Sequence, residues 1–239
     1  MSGHSKWSKV KHQKETTDAV KGREFTKAAR AITLAVREGG GIGNPDLNFH
    51  LRLAIEKAHE VNMPKENIER AIEKGQGSGG GEIEQILYEA YGPDGIAMLI
   101  EAATDNKQRT VASVKNLLDR VGGTITSPGA VSYLFERTGI LTVPKSFGSL
   151  DTMLEAALDG GASDVFETED MYELYAPVDT LSAVKKKLTD RGVPIDNTAI
   201  IMKPKTLMDI APDKRDRIEQ LVNDLEDLDD VQTVFTNLL

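Results

Sequence analysis

The sequence predicts an α+β protein in which a helical N-terminal part precedes two parts that mix strands and helices. Three features of the 239-residue chain support this class. Apolar residues recur with the helical period over the first third of the chain, whereas short β-branched and aromatic runs alternate with helical stretches from Glu82 onward. Six consecutive elements of this later part follow the order β-α-β-β-α-β, which is the split βαβ arrangement of a ferredoxin-like domain.

The first predicted helix runs from Asp18 to Glu38. A polar side chain at its start is suited to cap the first turn, and the glycines that follow Glu38 favour its end. Its apolar residues share one face at 100° per residue. The opposite face carries four cationic side chains, which are Arg23, Lys27, Arg30 and Arg37. Lys27 and Arg30 are expected to project away from the core, so that reversing their charge leaves the fold intact.

A basic arm precedes this helix. Residues 1–37 hold nine Lys and Arg against three Asp and Glu, a net charge of +6, although the whole chain carries −9. Clustered cations beside an aromatic side chain are typical of a segment that binds nucleic acid through its phosphates. Lysines contact phosphates rather than reading base edges. The arm and the helix face therefore form the predicted nucleic-acid-binding set: Lys6, Trp7, Lys9, Lys11, Lys14, Arg23, Lys27, Arg30 and Arg37.

Two more helices are predicted before residue 80. Asn44 and Pro45 are suited to cap and open the second helix, whose apolar period runs over residues 47–62. Pro64 is suited to open a third, short helix that Gly75 closes. The glycine-rich residues 76–81 lack the Gly-Lys-Ser/Thr of a phosphate-binding loop, so they are interpreted as a linker. Residues 1–80 are expected to form the basic arm and a three-helix bundle.

The remaining chain is expected to form two α/β-sandwich domains of the ferredoxin-like type, one inserted in the other. Strands are predicted over residues 86–91, 96–104 and 131–135, with a helix over residues 111–121. The β-α-β-β-α-β series follows at residues 140–143, 150–158, 165–168, 172–175, 181–188 and 195–202. A helix over residues 213–227 and a strand over Val231–Thr236 supply what the first block lacks. The predicted domains are therefore residues 81–136 plus 207–239, interrupted by residues 137–206.

Motifs along nearly the whole chain carry a resemblance to a known family. They are GHSKW at residues 3–7, GREFTK at 22–27, NMPKENIERAI at 62–72, YEAYGP at 88–93, DNKQRT at 105–110 and LEDLDDVQ at 225–232. Together they are similar to the motifs of the YebC-type family. Members of that family are generally labelled probable transcriptional regulators, and its mitochondrial relatives are translational activators. The resemblance implies a three-domain arrangement and a role in gene expression.

Residue types needed for common catalytic and metal sites are missing or wrongly spaced. The chain has no cysteine, which excludes disulfides and thiol chemistry. Its histidines, His4, His12, His50 and His59, do not have the i, i+3 or i+4 spacing that places two imidazoles on one helical face. We expect no catalytic residue, no metal, no cofactor and no small-molecule substrate.

Acidic residues give only weak support for a metal-dependent catalytic site. Glu101 and Asp105 lie near a predicted strand end, and two carboxylates there could hold the metal pair of a nuclease. The alternative, that Asp105 and Asn106 cap the following helix, fits the local sequence better. The acidic residues 226–230 lack the alternating ligands of a calcium loop and are interpreted as a solubilising helix end.

Three functional classes follow. The first is a DNA-binding regulator of transcription that acts through the basic N-terminal bundle, and the second is a ribosome-associated translation factor that binds ribosomal RNA. The third, a nuclease, has only the scattered carboxylates behind it. Lys107 and Arg109 are predicted to offer a weaker second contact surface. No apolar run approaches the ~20 residues of a membrane span, so we expect a cytoplasmic protein with no membrane partner.

Limited proteolysis tests the predicted linker. Because glycines favour an exposed backbone, the first cut is expected between Gly75 and Glu82. The fragment that begins near Glu82 should stay folded by circular dichroism and lose its nucleic-acid affinity. A fragment that binds as tightly as the whole chain would show that residues 1–80 are not the binding module.

Overall fold

A computed structural model describes residues 18–77 and 83–239. Within these residues the chain forms seven α-helices and two four-stranded antiparallel sheets. In chain order the elements are α1 (Asp18–Glu38), α2 (Phe49–Glu60), α3 (Lys65–Gly75), β1 (Glu84–Tyr91), β2 (Ala97–Thr104), α4 (Lys107–Val121), β3 (Thr124–Ile125), β4 (Phe135–Pro144), α5 (Leu150–Gly160), β5 (Asp164–Glu167), β6 (Met171–Ala176), α6 (Leu181–Asp190), β7 (Asn197–Pro204), α7 (Pro212–Glu226) and β8 (Val231–Thr236). The prediction of a mixed α and β fold is confirmed.

The described residues divide into two compact units. The first unit comprises residues 18–77, 83–133 and 210–236, and the second comprises Leu134–Asp209 and Asn237–Leu239. Helices α1 to α3 thus share a unit with the first sheet. The prediction that residues 1–80 form a domain of their own stays a prediction.

Helices α1, α2 and α3 pack around a shared apolar core. Ile32 and Val36 of α1 are fully buried with Leu51 of α2, and Ile68 of α3 lies in the same cluster. Gly75 ends α3 against α1: a Cβ at this position would lie 2.6 Å from the Cβ of Val36. Only glycine permits so close an approach of the two helices.

The second helix starts at Phe49, four residues later than the predicted start at Pro45. Asn48 caps α2, because its side-chain oxygen accepts the backbone N–H of Leu51 at 3.1 Å. The side-chain amide of Asn48 also donates to the carbonyl of Ala35 at 2.8 Å, which fixes the start of α2 against α1. Leu47, which the apolar period placed in the helix, precedes the cap and is 75% exposed.

The first sheet has the strand order β3-β1-β2-β8. Strand β2 lies at its centre and is buried along almost its whole length. Because β8 pairs antiparallel with β2, the start of β8 lies beside the end of β2. The start of α4 follows β2 directly, so three chain segments meet at this edge of the sheet.

The strand predicted over residues 131–135 is wrong. Residues Ser132–Leu134 form a short 3-10 turn, and β4 begins only at Phe135. The cause is the buried carboxylate of Glu89, which accepts the backbone N–H groups of Gly129 (2.6 Å), Val131 (2.7 Å) and Ser132 (2.9 Å). Burial opposes ionisation of Glu89, yet these hydrogen bonds outweigh it and hold its pKa below the usual value. The two-residue strand β3, which the sequence reasoning missed, precedes this loop.

The second unit contains the β-α-β-β-α-β series with the sheet order β5-β6-β4-β7. Each predicted element of this series is present, with ends that differ by a few residues. Leu141 of β4 and Leu174 of β6 are fully buried together with Met153 of α5 and Leu181 of α6. This apolar layer accounts for the packing of α5 and α6 on one face of the sheet.

A buried carboxyl group lies on β6. Glu173 has no solvent exposure, accepts one hydrogen bond from the Tyr175 hydroxyl at 2.9 Å, and has a second oxygen without a hydrogen-bond partner. The Lys203 ammonium lies 3.7 Å from the ring centroid of Tyr175 and 4.5 Å from that of Phe166. Burial, opposed by the Tyr175 hydrogen bond and the Lys203 charge, raises the pKa of Glu173 to about 7.

Replacing Glu89 tests its role as the loop anchor. Glu89→Gln leaves an amide group facing several N–H donors, so we expect the free energy of unfolding to fall by about 2 kcal/mol. Urea denaturation provides the measurement, with the exposed Glu73→Gln as the control. An equal effect of the two substitutions would contradict the anchoring role.

The raised pKa of Glu173 predicts a dependence of stability on pH. The folded state holds this proton more tightly than the unfolded state, so the stabilising contribution is complete below the unfolded pKa of 4.5 and is lost as pH rises through about 7. Glu173→Gln should remove most of this loss, which is on the order of 3 kcal/mol. Urea titrations at several pH values check it, and the idea fails if wild type and variant show parallel pH profiles.

Candidate functional site

The cationic face of α1 contacts the sheet part of its own unit. The Lys27 ammonium donates a hydrogen bond to the backbone carbonyl of Glu226, at the end of α7. The Arg30 guanidinium donates to the carbonyl of Asp229 at 2.5 Å and to the carboxylate of Asp230 at 2.6 Å. Arg37 likewise donates to the carbonyl of Ile83 at 3.1 Å. Three of the predicted phosphate-binding cations therefore bind acceptors within the protein itself.

The expectation that charge reversal at Lys27 and Arg30 leaves the fold intact is wrong, because both side chains bind other parts of their own unit. The Arg30 side chain is only 16% exposed. Burial lowers the pKa of Lys27 against the attraction of Glu24 and Glu226, and the charge of Lys57 on α2 lowers it further. A glutamate at position 30 would face the Asp230 carboxylate, so reversing both charges would disturb the fold as well as any nucleic-acid contact.

Asp230 is the ionic centre of this region. Besides Arg30, its carboxylate binds Arg109 through Nε at 3.1 Å and Nη2 at 2.8 Å, and accepts the Thr110 hydroxyl at 2.7 Å. Burial opposes its ionisation, but the hydrogen bonds from Thr110 and Arg109 and the charge of Arg30 keep the pKa of Asp230 below its usual value. The side chain is 9% exposed, so the interpretation of Asp230 as part of a solubilising helix end is wrong.

The DNKQRT motif builds the start of α4 beside Asp230. Asn106 caps the helix by accepting the Arg109 N–H at 3.0 Å, which confirms its predicted capping role. The Thr110 hydroxyl also lies 2.8 Å from that of Thr104 at the end of β2. Asp105 pairs with Arg109 at 2.8 Å, and this hydrogen bond lowers the pKa of Asp105 despite some desolvation. The motif thus orients Arg109 toward Asp230.

An open pocket of about 400 Å³ lies at this junction. It is lined by Arg30, Arg109, Thr110, Ser113, Leu228, Asp229 and Asp230. Of the two predicted second-surface cations, Arg109 is committed to Asp105 and Asp230, whereas Lys107 is 60% exposed and pairs with Glu84 at 2.5 Å. Exposed ion pairs of this kind contribute little to stability, so Lys107 remains available to a partner.

The predicted cations toward the N-terminus have different surroundings. Lys6, Trp7, Lys9, Lys11 and Lys14 lie outside the described residues. Arg23, in the second turn of α1, is partly exposed and makes no hydrogen bond or ion pair within residues 18–77 and 83–239, and Lys21 beside it is exposed. Cationic charge at the start of α1 therefore stays accessible, in contrast to that of Arg30.

Sequence reasoning missed three residues of this region. Thr110 and Lys57 were assigned no role of their own, and Asp230 was interpreted only as part of a solubilising helix end, although it directly precedes a strand in which half of the residues are buried. A pairing of the predicted final strand with the strand over residues 96–104 would have placed Asp230 beside the DNKQRT motif, because antiparallel neighbours bring start and end together.

Carboxylates of the described residues are not arranged as a metal site. Across residues 18–77 and 83–239 there is no cluster of three or more His, Cys, Asp or Glu side chains placed to hold a metal ion. Glu101 belongs to β2 and Asp105 is engaged with Arg109. Among the described helices, none combines the length and apolar character that crossing a bilayer requires.

Comparison with known proteins covers nearly the whole chain. The family model for the TACO1/YebC protein N-terminal domain matches residues 5–78, and the model for the TACO1/YebC second and third domain matches residues 83–238. The chain belongs to the TACO1/YebC family, which confirms the resemblance drawn from its motifs.

Individual relatives extend the comparison. A "Probable transcriptional regulatory protein" of Chloroflexus aggregans is 50% identical and aligns with 100% of this chain and 95% of its own length. One of the same description from Caldanaerobacter subterraneus is 41% identical over 100% of this chain and 98% of that protein. The crystal structure of a conserved hypothetical protein from Aquifex aeolicus superposes with a TM-score of 0.86 at 42% identity, covering 98% of this chain and 96% of that one.

Proposed function

We propose that this protein regulates gene expression by binding nucleic acid through its phosphate backbone. The observation that carries this proposal is the charge asymmetry of the chain: residues 1–37 carry +6, while the remainder carries −15. A cationic end attracts a polyanion, and an acidic remainder limits indiscriminate adhesion. The binding residues are the arm lysines with Trp7, followed by Lys21 and Arg23 at the start of α1.

DNA is the first candidate target. Relatives that align over the whole chain are named probable transcriptional regulatory proteins, which supports a DNA-binding regulator of transcription. Lysines of the arm would fix the protein on the duplex by phosphate contacts, and sequence preference would then arise from DNA shape rather than base contacts.

Ribosomal RNA is the second candidate, in a translation factor that acts on the ribosome. A specific observation favours it: the exposed surface of α3 mixes Glu66, Glu69 and Glu73 with Lys65 and Arg70. A helix with that many carboxylates is poorly suited to enter the major groove, where phosphates flank it on both sides. Structured RNA bound from its backbone fits such a bundle better.

We also propose a domain organisation for this protein. We assign the β-α-β-β-α-β series and the discontinuous sheet part to ferredoxin-like domains, one inserted in the other, with residues 1–80 as a separate basic module. In this arrangement the basic module binds the nucleic acid and the two α/β domains place the protein on its target, in the cytoplasm.

Charge reversal in the arm tests the binding surface. Lys9→Glu with Lys11→Glu should weaken binding to short duplex DNA and to a ribosomal RNA fragment, and should reduce the slope of log affinity against log salt by about two. The matched control is Lys115→Glu with Lys187→Glu, which reverses two exposed lysines on α4 and α6. Equal losses in the two variants would mean that net charge, not the arm, governs binding.

A binding protein of this kind needs no metal and cleaves nothing. Cations contact phosphate directly, so we predict affinity that survives chelation and no cleavage of duplex, junction or single-stranded substrates with magnesium or manganese. Gel assays of end-labelled substrates provide the measurement. Cleavage that needs magnesium and is lost in a Glu101→Gln, Asp105→Asn variant would instead support a nuclease.

A further inference from the structure

We propose that residues 226–230, called here the acidic segment, act as an intramolecular substitute for nucleic acid. In the free protein the segment occupies Lys27 and Arg30, and a bound nucleic-acid backbone displaces it from them. This inference rests on the proposed function and concerns its regulation: affinity is set by competition between the acidic segment and the phosphates.

The acidic segment offers α1 the chemistry of a phosphate backbone. It contains four acidic side chains, Glu226, Asp227, Asp229 and Asp230. It also lies at the C-terminal end of α7, where carbonyl oxygens without helical partners carry partial negative charge. Lys27 binds the first of these carbonyls and Arg30 binds one carbonyl and one carboxylate. Successive acceptor oxygens therefore meet successive cations of one helix face.

The contact is polar and replaceable. The apolar side chains of α1, such as Ala28, Ile32 and Val36, pack in the core of the three helices. The hydrogen bonds from α1 to the acidic segment come from Lys27 and Arg30. Burial lowers the pKa of Lys27, which means that its charged form loses hydration in this contact. The loss of hydration largely offsets the attraction between the charges, so the net free energy that this contact contributes is modest.

Displacement leaves the acidic segment with its other partners. Asp230 retains Arg109 and Thr110 when Arg30 departs, so its buried carboxylate stays neutralised. The carbonyl of Glu226 lies at the end of α7 and that of Asp229 lies in the turn that follows, and at both places water can replace a lost donor. Lys27 and Arg30 exchange their oxygen acceptors for phosphate oxygens. The charged groups therefore have hydrogen-bond partners both in the free protein and in the complex with nucleic acid. This is the condition for a reversible exchange.

Neutralising the exposed acids tests the competition. Asp227→Asn with Asp229→Asn lowers the negative potential next to Lys27 and Arg30 and leaves every described contact of Asp230 in place. The matched control is Asp213→Asn with Asp216→Asn, which removes the same charge from the far end of α7. We expect short duplex DNA to bind the first variant about threefold more tightly than the control. Equal affinities of the two variants would overturn the proposal.

A crosslink in the wild-type protein gives a readout without substitutions. The Lys27 ammonium binds the backbone carbonyl of Glu226, and the next residue is Asp227, so a zero-length carbodiimide should join Lys27 to one of these two carboxyl groups. Duplex DNA should suppress this crosslink but spare the one between Lys214 and Asp94, which are 2.5 Å apart in the same unit. A Lys27 crosslink that persists at saturating DNA overturns the inference.

Failure of the proposed function and failure of the proposed competition give different results in these experiments. If wild-type protein and the Lys9→Glu, Lys11→Glu variant bind DNA equally or not at all, and RNA likewise, the proposed function itself is wrong. If binding depends on the arm but the acidic-segment variant matches its control, only the competition is wrong.

Discussion

The buried carboxylate of Asp230 is the point on which the first unit depends. It joins α1 through Arg30 and α4 through Arg109 and Thr110, while its own backbone carbonyl accepts the Ala103 N–H of β2 at 2.8 Å. A carboxylate with 9% exposure is stable only when neighbouring cations and donors replace the water it has lost. Helix α1 and the DNKQRT motif supply those groups to the carboxylate, while the Asp230 backbone attaches the same position to β2.

This constraint divides the cations of the N-terminal region into two kinds. Arg30 and Lys27 are used within the protein, so their availability depends on what else competes for their donors. Lys21 and Arg23, earlier in α1, stay exposed or partly exposed. The proposed function therefore gives the first contact with a polyanion to the arm and the start of α1, and the proposed competition lets the later cations join only when the acidic segment is displaced. In this proposal, charge that stabilises the fold and charge that binds the target lie on the same helix.

The sequence predicted what depends on local pattern and failed where distant groups decide. The bounds of α1 follow from its apolar period and the glycines that end it, and the prediction agrees with the structure at both ends. The strand over residues 131–135 failed because Glu89, far away in sequence, takes the N–H groups that a sheet would need. Local β-propensity yields there to a long-range carboxylate contact.

The contacts of the candidate site also depend on residues far apart in the sequence, which local patterns do not reveal. The charge count located a cationic helix face from sequence alone, but which of its members face the acidic segment depends on how α1 packs against α7 and β8. Asp230 looked like one of several surface acids because its partners lie about 120 and 200 residues away along the chain. The recurrent family motifs marked the region as important without showing that it is an ion-pair network.

Crosslinking in living cells tests directly whether residues 1–23 bind nucleic acid. Ultraviolet light applied to cells, followed by purification of the protein and sequencing of the attached nucleic acid, identifies the target, and mass spectrometry identifies the linked peptide. We expect DNA or ribosomal RNA to be enriched and to be attached to peptides from residues 1–23. Nucleic acid recovered no more often than with the Lys9→Glu, Lys11→Glu variant, or linked only to the second unit, would contradict it.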